Sequence, residues 1–243
     1  MEFESYTVTD KGGRTKNEDS VCAHYQHGKS GCWIVADGLG GHAAGEVASA
    51  IATEAIAAKF CRSPGLDVNS IRQCFGYALD KILNRQEDEP KLRSMRTTAV
   101  GLFTDCKRIT WAHVGDSRLY FFHGGQLSYQ TMDHSVSQAC VRSGEITAGQ
   151  IRFHEDRCRL LKVLGTDANL KVEICESPMV PEKGDAFLLC TDGFWEYVLE
   201  DEMEEDLQQA KSPETWINRM NRRLLDRVEK DNDNYSAIAV FVR

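Results

Sequence analysis

No apolar run in this chain of 243 residues approaches the roughly 18 consecutive residues that a membrane-spanning helix needs. The start, Met1-Glu2-Phe3-Glu4, has neither the basic nor the apolar region of a secretory leader. These two absences predict a soluble, cytoplasmic protein without a membrane span. Basic residues are also in deficit, since 29 Lys and Arg against 37 Asp and Glu leave a net charge of -8. A nucleic-acid partner calls for a basic surface, so none is expected. The nine cysteines contain no C-x-x-C pair, which argues against a zinc knuckle or a thiol redox motif. They are expected as small, reduced core residues. No internal repeat, low-complexity tract or Pro/Ser-rich linker divides the chain, and a single domain over residues 1–243 is expected.

A hydrophobic content of 42% is ample for a sizeable core. Three apolar, strand-like runs end at an aspartate beside a glycine: residues 32–36 into Asp37-Gly38, 109–114 into Gly115-Asp116, and 187–191 into Asp192-Gly193. A fourth aspartate, Asp233, opens the last strand candidate, Ser236 to Val242. One Asp-Gly after a strand is ordinarily a turn; four such aspartates in one chain ask for more. A carboxylate at the end of a buried strand carries a large desolvation cost unless it is paired. Several that converge repel one another unless a multivalent cation lies between them. Hard oxygen ligands of this kind suit Mg²⁺ or Mn²⁺ rather than zinc.

Periodicity places a helix over residues 43–60, with Val47, Ile51, Ala55 and Ala58 as its apolar stripe. A second helix over 69–85 carries Ile71, Cys74, Phe75, Ala78, Leu79 and Ile82 on one face. Strands are predicted at 21–25, 32–36, 97–104, 108–114, 118–122, 127–130, 171–175 and 186–190, and helices at 135–143, 202–210 and 213–228. Helix pairs fall in blocks around strand blocks, which suits segregated α and β layers. Residues 144–164 are polar and poorly periodic, an excursion from the scaffold, and Arg142, Arg152, Arg157 and Arg159 make its neighbourhood the most basic of the chain.

In order, the chain carries Arg14-x-x-Asn17-Glu18-Asp19, then Ala36-Asp37-Gly38-Leu39-Gly40-Gly41-His42, then Gly115-Asp116-Ser117-Arg118, Asp133-His134-Ser135, Thr191-Asp192-Gly193 and Asp233-Asn234. This series resembles the type 2C (PPM) metal-dependent serine/threonine protein phosphatases in their compact bacterial form, from about residue 5 to the end. The resemblance implies an α+β fold: a four-layer αββα sandwich of two antiparallel sheets packed face to face, flanked by helix pairs. A variable flap, here about residues 144–164, would lie beside a metal cluster at one edge.

Carried over residue by residue, the resemblance makes Asp37 the carboxylate that bridges two metals and Gly38 a carbonyl ligand. Asp192 and Asp233 complete the first metal, and Asp19, with Glu18 a weaker candidate, is an outer-shell acid. Asp116 shares a third, weaker ion with Asp192. The implied cofactors are two core Mn²⁺ or Mg²⁺ ions and that third one. Arg14 matches the arginine that grips the substrate phosphate, where its planar fork suits two oxygens at once. His42 is the natural candidate for protonating the leaving oxygen, because imidazole titrates near working pH. His134 is expected to be structural. Departures from the family pattern are a Gly12-Gly13-Arg14 segment one residue short, Arg96 in place of a glycine, and a doubled Asp231-Asn232-Asp233-Asn234 in which Asp231 is the alternative ligand.

The implied function is hydrolysis of phosphoserine and phosphothreonine in proteins, by in-line attack of a water bridging two divalent metals. No covalent intermediate is required, and the C-x5-R loop of a cysteine phosphatase is absent. Phosphorylated proteins, including a Ser/Thr kinase or its targets, are the expected partners of a monomer that signals in bacteria. The rival readings are a non-enzymatic phosphoprotein-binding module and a hydrolase of small phosphate esters or nucleotides. The first is disfavoured by the complete set of aspartates, the second by the lack of a nucleotide-binding motif.

Overall fold

The computed structural model describes residues 1–40, 44–169 and 171–243. In chain order the elements are β1 (Phe3–Asp10), β2 (Asp19–Gln26), β3 (Ser30–Leu39), α1 (Ala44–Arg62), α2 (Val68–Asp88), β4 (Arg96–Thr97), β5 (Ala99–Thr104), β6 (Ile109–Val114), β7 (Arg118–His123) and β8 (Gln126–Gln130). There follow α3 (Val136–Ser143), β9 (Glu173–Ile174), β10 (Ala186–Cys190), the single turn α4 (Asp192–Trp195), α5 (Glu200–Gln208), α6 (Pro213–Leu225) and β11 (Tyr235–Val242). Asp67 caps α2 by accepting the Asn69 and Ser70 N–H groups, and Ser212 caps α6 ahead of Pro213, whose fixed φ suits the first turn.

Two antiparallel sheets result, one ordered β1-β11-β10-β7-β8 and the other β2-β3-β5-β6-β9, with β4 beside β3. Their central strands read as unbroken apolar runs because each is buried on both faces. In β3, Trp33 and Val35 enter the core between the sheets, while Cys32 and Ile34 face α1 and α2. In β11, Ile238, Val240 and Val242 join the same central core, and Ala237, Ala239 and Phe241 meet α5 and α6. Three cores therefore separate four layers, the αββα sandwich that the motif series implied. Among the described residues no helix is long and apolar enough to cross a membrane.

Local differences from the sequence reading have local causes. The buried face of α1 is centred on Ala48, Ala52, Ile56 and Phe60; of the expected stripe Ala55 is buried, Val47 and Ile51 are half-buried against the same core, and Ala58 is exposed. Small residues at that seam let the helix lie close to β3, so packing chose a face that hydrophobicity alone did not rank highest. The single strand expected at 97–104 breaks at Thr98, whose N–H donates to the Asp37 carbonyl (2.9 Å) and whose hydroxyl accepts the Asp37 N–H (2.9 Å). Strand β1 has no counterpart among the expected elements; its mostly polar sequence becomes a strand because β11 offers an edge to pair with along its whole length. The cysteines divide: Cys32, Cys74, Cys106 and Cys190 are buried as expected, but Cys61 and Cys158 are exposed.

Candidate active site

Strand pairing begins the site. In the β2–β3 ladder Asp19 stands directly opposite Asp37, at the ends of two strands held by the central core. Asp192 opens α4 immediately after β10, Asp116 lies in the turn between β6 and β7, and Asp233 precedes β11. Asp37, Gly38, Asp116, Asp192 and Asp233 line one open cavity of about 800 Å³, together with Arg14. Close backbone approaches make this convergence possible. A Cβ on Gly38 would stand 2.2 Å from the Gly45 carbonyl oxygen, and one on Gly193 would stand 2.0 Å from that of Asn234. Only glycine lets the chain pass at either point.

A second set of side chains ties the segments together. Thr97 Oγ1 donates to the Asp37 carbonyl (2.7 Å), and Thr98 Oγ1 is bonded to Ser117 Oγ (2.7 Å), so the strand end and the following turn are coupled. Asn234 accepts the Glu18 N–H through Oδ1 (2.7 Å) and donates through Nδ2 to the Lys11 and Lys16 carbonyls. It thereby shapes the loop that carries Arg14. Thr191 Oγ1 donates to Asp19 Oδ2 (2.9 Å). Trp195 Nε1 donates to the Asp116 carbonyl (3.0 Å) while its ring lies 3.5 Å from the Arg118 guanidinium.

The electrostatics are those of a buried acidic cluster, with Arg14 paired to Asp233 at its exposed edge. Burial, and then the charges of Asp192, Asp19, Asp116 and Asp233, hold the Asp37 carboxyl well above the usual carboxylate range. Burial and the Asp192 charge do the same to Asp116. Asp19 is pushed up to about 7 chiefly by burial, against hydrogen bonds from Ser236 and Thr191 that lower it. Asp192 also reaches about 7, through burial, Glu196 and Asp233. Glu18, half-buried, is raised by burial and then by Asp233. Asp19 Oδ1 is buried with no hydrogen-bond partner.

Such a cluster fits divalent cations. Its donors are oxygens, it has an orphaned buried carboxylate oxygen, and its pKa values are raised in the manner that a bound cation reverses. The aspartates do not form a closed shell around one ion. Among the described residues the three-donor groups with ligand atoms mutually within 4.8 Å are Cys158–Asp192–Glu196 and His113–His134–Glu173. A spread of carboxylates suits ions that keep several waters and take only one or two carboxylates each.

The remaining expectations resolve individually. Arg14 Nη2 donates to Asp233 Oδ2 (2.9 Å). Asp233 lines the cavity and Asp231 does not, which favours Asp233 of the doubled motif. Glu18 also lines the cavity. His42 lies outside the described residues. His134 is buried and stacked on His113, ring centroids 4.7 Å apart, and its Nδ1 accepts the Gly115 N–H (3.3 Å), a structural placement. Burial and His113 lower its pKa to about 4.

The basic excursion is not uniformly solvated. Arg152 is buried and donates to Glu200 (2.6 Å), and Arg157 donates to Glu196 (2.7 Å), so both anchor the segment to the scaffold. Its end lines the cavity through Cys158 and Leu160. Sequence reading missed Thr98, Trp195, Glu196 and Cys158 as neighbours of the site. For Trp195 and Glu196 the available signal was position, since they follow Thr191-Asp192-Gly193 by less than one helical turn. Cys158 lies far from every motif in sequence; its signal was membership of the segment 144–164, which the resemblance puts beside the metals.

Comparison with known proteins bears on the family and the fold. The family described as Protein phosphatase 2C matches residues 12–232. The serine/threonine phosphatase stp of Listeria monocytogenes is 32% identical over 210 residues, spanning 84% of this chain and 82% of that protein. The crystal structure of serine/threonine phosphatase Stp1 from Staphylococcus aureus superposes with a TM-score of 0.88 at 28% identity, covering 100% of this chain and 96% of that one. The catalytic domain of the phosphatase PstP, solved in complex with 2 manganese ions, gives a TM-score of 0.81 at 29% identity over 99% of both chains.

Proposed function

This chain belongs to the protein phosphatase 2C family and is a metal-dependent serine/threonine protein phosphatase, and we propose how its own residues share that task. Asp37, Asp192 and Asp233, with the Gly38 carbonyl, hold two divalent ions. Asp19 and Glu18 act on their water shell, and Asp116 with Asp192 serves a third, weaker ion. When bound, two divalent ions supply Lewis acidity to an attacking water and neutralise charge on the phosphoryl oxygens.

Arg14 binds the phosphate. It is the guanidinium that lines the cavity, and its pair with Asp233 is half-exposed, a weak contact that an incoming dianion can replace. Asn234 and the Thr97–Thr98 pair keep Arg14 and Asp37 in register. His42 is assigned the proton for the leaving serine or threonine oxygen from its sequence position. We place the enzyme in the bacterial cytoplasm as a monomer, acting on phosphoproteins that a Ser/Thr kinase modifies, with Mn²⁺ or Mg²⁺ as cofactor.

The observation that supports this reading best is the meeting of four aspartates, Asp37, Asp116, Asp192 and Asp233, from four separate chain segments, around one cavity edged by Arg14. Turnover of a phosphothreonine peptide with Mn²⁺, its loss on chelation, and the rate on nucleotides under the same conditions test it. Chelator-resistant turnover, or a preference for nucleotides, would overturn it.

A further inference from the structure

Away from the aspartates, several of the nine cysteines gather where the end of α1 meets the start of β3. In the β2–β3 ladder Cys22 pairs with Ile34, and Cys32 lies two residues before Ile34 on the same face. The two thiols are therefore diagonal neighbours beneath the helices. Helix α1 begins over Gly38, where a Cβ on Gly45 would stand 2.6 Å from the Gly38 carbonyl oxygen. From Gly45 to Cys61 the helix rises about 24 Å, and from Gly38 back to Cys32 the strand covers about 20 Å. The last turn of α1 thus arrives over Cys32. Phe60 marks the arrival: its ring centroid lies 5.1 Å from that of Phe103, the direct partner of Cys32 on β5. Cys61 is exposed and Cys32 is buried, and the two thiols meet, with the Cys32 S–H directed at the Cys61 sulfur. Cys74 of α2 shares this core but donates to the Ser70 carbonyl (3.3 Å).

We propose that Cys61 and Cys32 are a site of oxidative modification, where a hydroperoxide joins them in a disulfide that fastens the end of α1 to β3. Access and contact carry the argument. A hydroperoxide in solution reaches Cys61, whereas Cys32 is reached only by its neighbour. First, the Cys61 thiolate attacks the peroxide: an S–O bond forms, the O–O bond breaks, and an alkoxide or hydroxide leaves. Then the Cys32 sulfur attacks the Cys61 sulfenic acid: the S–S bond forms, the S–O bond breaks, and the departing hydroxide takes the Cys32 proton to become water. The two thiols lose two electrons and the hydroperoxide gains them. The sulfurs must close to about 2.05 Å, a movement that the terminal turn of a helix accommodates more readily than its middle. Burial raises the Cys61 thiol above its usual range, against the Cys32 hydrogen bond that lowers it. Thiolate is therefore scarce at neutral pH, and the pair responds to sustained rather than brief exposure. The loop closed by the bond, residues 32–61, contains Asp37 and Gly38.

The test treats the full chain with excess hydrogen peroxide, alkylates the remaining thiols and maps the peptides by mass spectrometry. A Cys32–Cys61 cross-link within one chain, reversed by a thiol reductant, is expected. Cys61→Ser should lose it, and Cys158→Ser, which alters the other exposed thiol, should keep it. The oxidised wild type should melt at a higher temperature than the reduced protein, because the closed loop restricts the unfolded chain. That rise should be absent from Cys61→Ser. Cys61 recovered as a free thiol, as sulfinic or sulfonic acid, or joined to Cys22, to Cys74 or to a second chain, would overturn the proposal. So would an oxidised protein that melts no higher than the reduced one. Neither readout uses turnover, so a failure of manganese-supported hydrolysis would count against the phosphatase assignment and not against this site.

Discussion

Asp19 and Asp37 face each other across the β2–β3 ladder as direct partners. Like charges directly opposite on a sheet are destabilising, and here burial magnifies the effect. The Asp19 and Asp192 carboxyls rise from 3.8 to about 7 in the native protein. A native pKa above the unfolded one means that the native state binds more protons. The stability so conferred is complete below about pH 4 and is lost as pH rises through 7.

Chelated protein should therefore melt at progressively lower temperature from pH 5 to pH 7.5, and added Mn²⁺ should stabilise it most at the upper end. Thermal unfolding with chelator and with Mn²⁺ across that range is the measurement. A metal-free melting temperature that rises with pH would contradict the electrostatics described. Asp37→Asn, which removes one of the facing charges, should flatten the slope while abolishing most turnover.

Arg14 and Asp233 are paired at 2.9 Å with both side chains about half exposed. Arg14→Ala should lower kcat/KM for a phosphopeptide by roughly 10–100-fold, as expected for lost charge-assisted hydrogen bonds of about 1.5–3 kcal/mol. The same substitution frees Asp233, so calorimetric metal affinity should hold or improve by no more than about fivefold, the limit for an exposed pair of up to about 1 kcal/mol. Weaker metal binding in Arg14→Ala would show that the arginine supports the ions rather than competing for Asp233.

Asp116 has a carboxyl held well above the normal range by burial and by Asp192, yet it stands apart from the Asp19–Asp37 pair on another turn. Asp116→Ala should keep two-ion stoichiometry and turn over slowly, and Asp192→Asn should be worse in both respects. Metal titration alongside steady-state rates separates these outcomes. Wild-type turnover in a folded Asp116→Ala protein would reduce Asp116 to a turn residue.

Arg118 and Asp133 form two parallel bonds of 2.8 Å, with side chains only 4% and 2% exposed. Breaking a buried pair leaves an uncompensated charge, so Asp133→Asn or Arg118→Met should cost about 3–5 kcal/mol of unfolding free energy. Urea denaturation of the metal-free protein measures this without reference to activity. A cost under about 1 kcal/mol would show that the pair is relieved by water.

Much of the architecture was legible before any coordinates. The strands through Trp33, Trp111 and Leu188 announced themselves because a strand buried on both faces has no polar phase to confuse the pattern. The helix 68–88 did so because its stripe follows one face throughout. Strand β1 was not legible, since an edge strand draws its identity from the partner that pairs with it. The centre of the buried α1 face was misread for a related reason: alanines bury well only where a sheet lies close enough to meet them.

The same division runs through the site. Residue type and order along the chain singled out the strand-end aspartates as candidates for metal, because such carboxylates are costly unless they serve such a purpose, and the resemblance of the motif series singled out Arg14 as a candidate for phosphate. Only the tertiary structure decided that Arg14 rests on Asp233, that Arg152 and Arg157 are anchors, and that Cys158 stands beside Asp192 and Glu196. Those relations join residues 34 to 219 positions apart. Contacts across such separations are set by how layers pack and loops return, which no local pattern encodes.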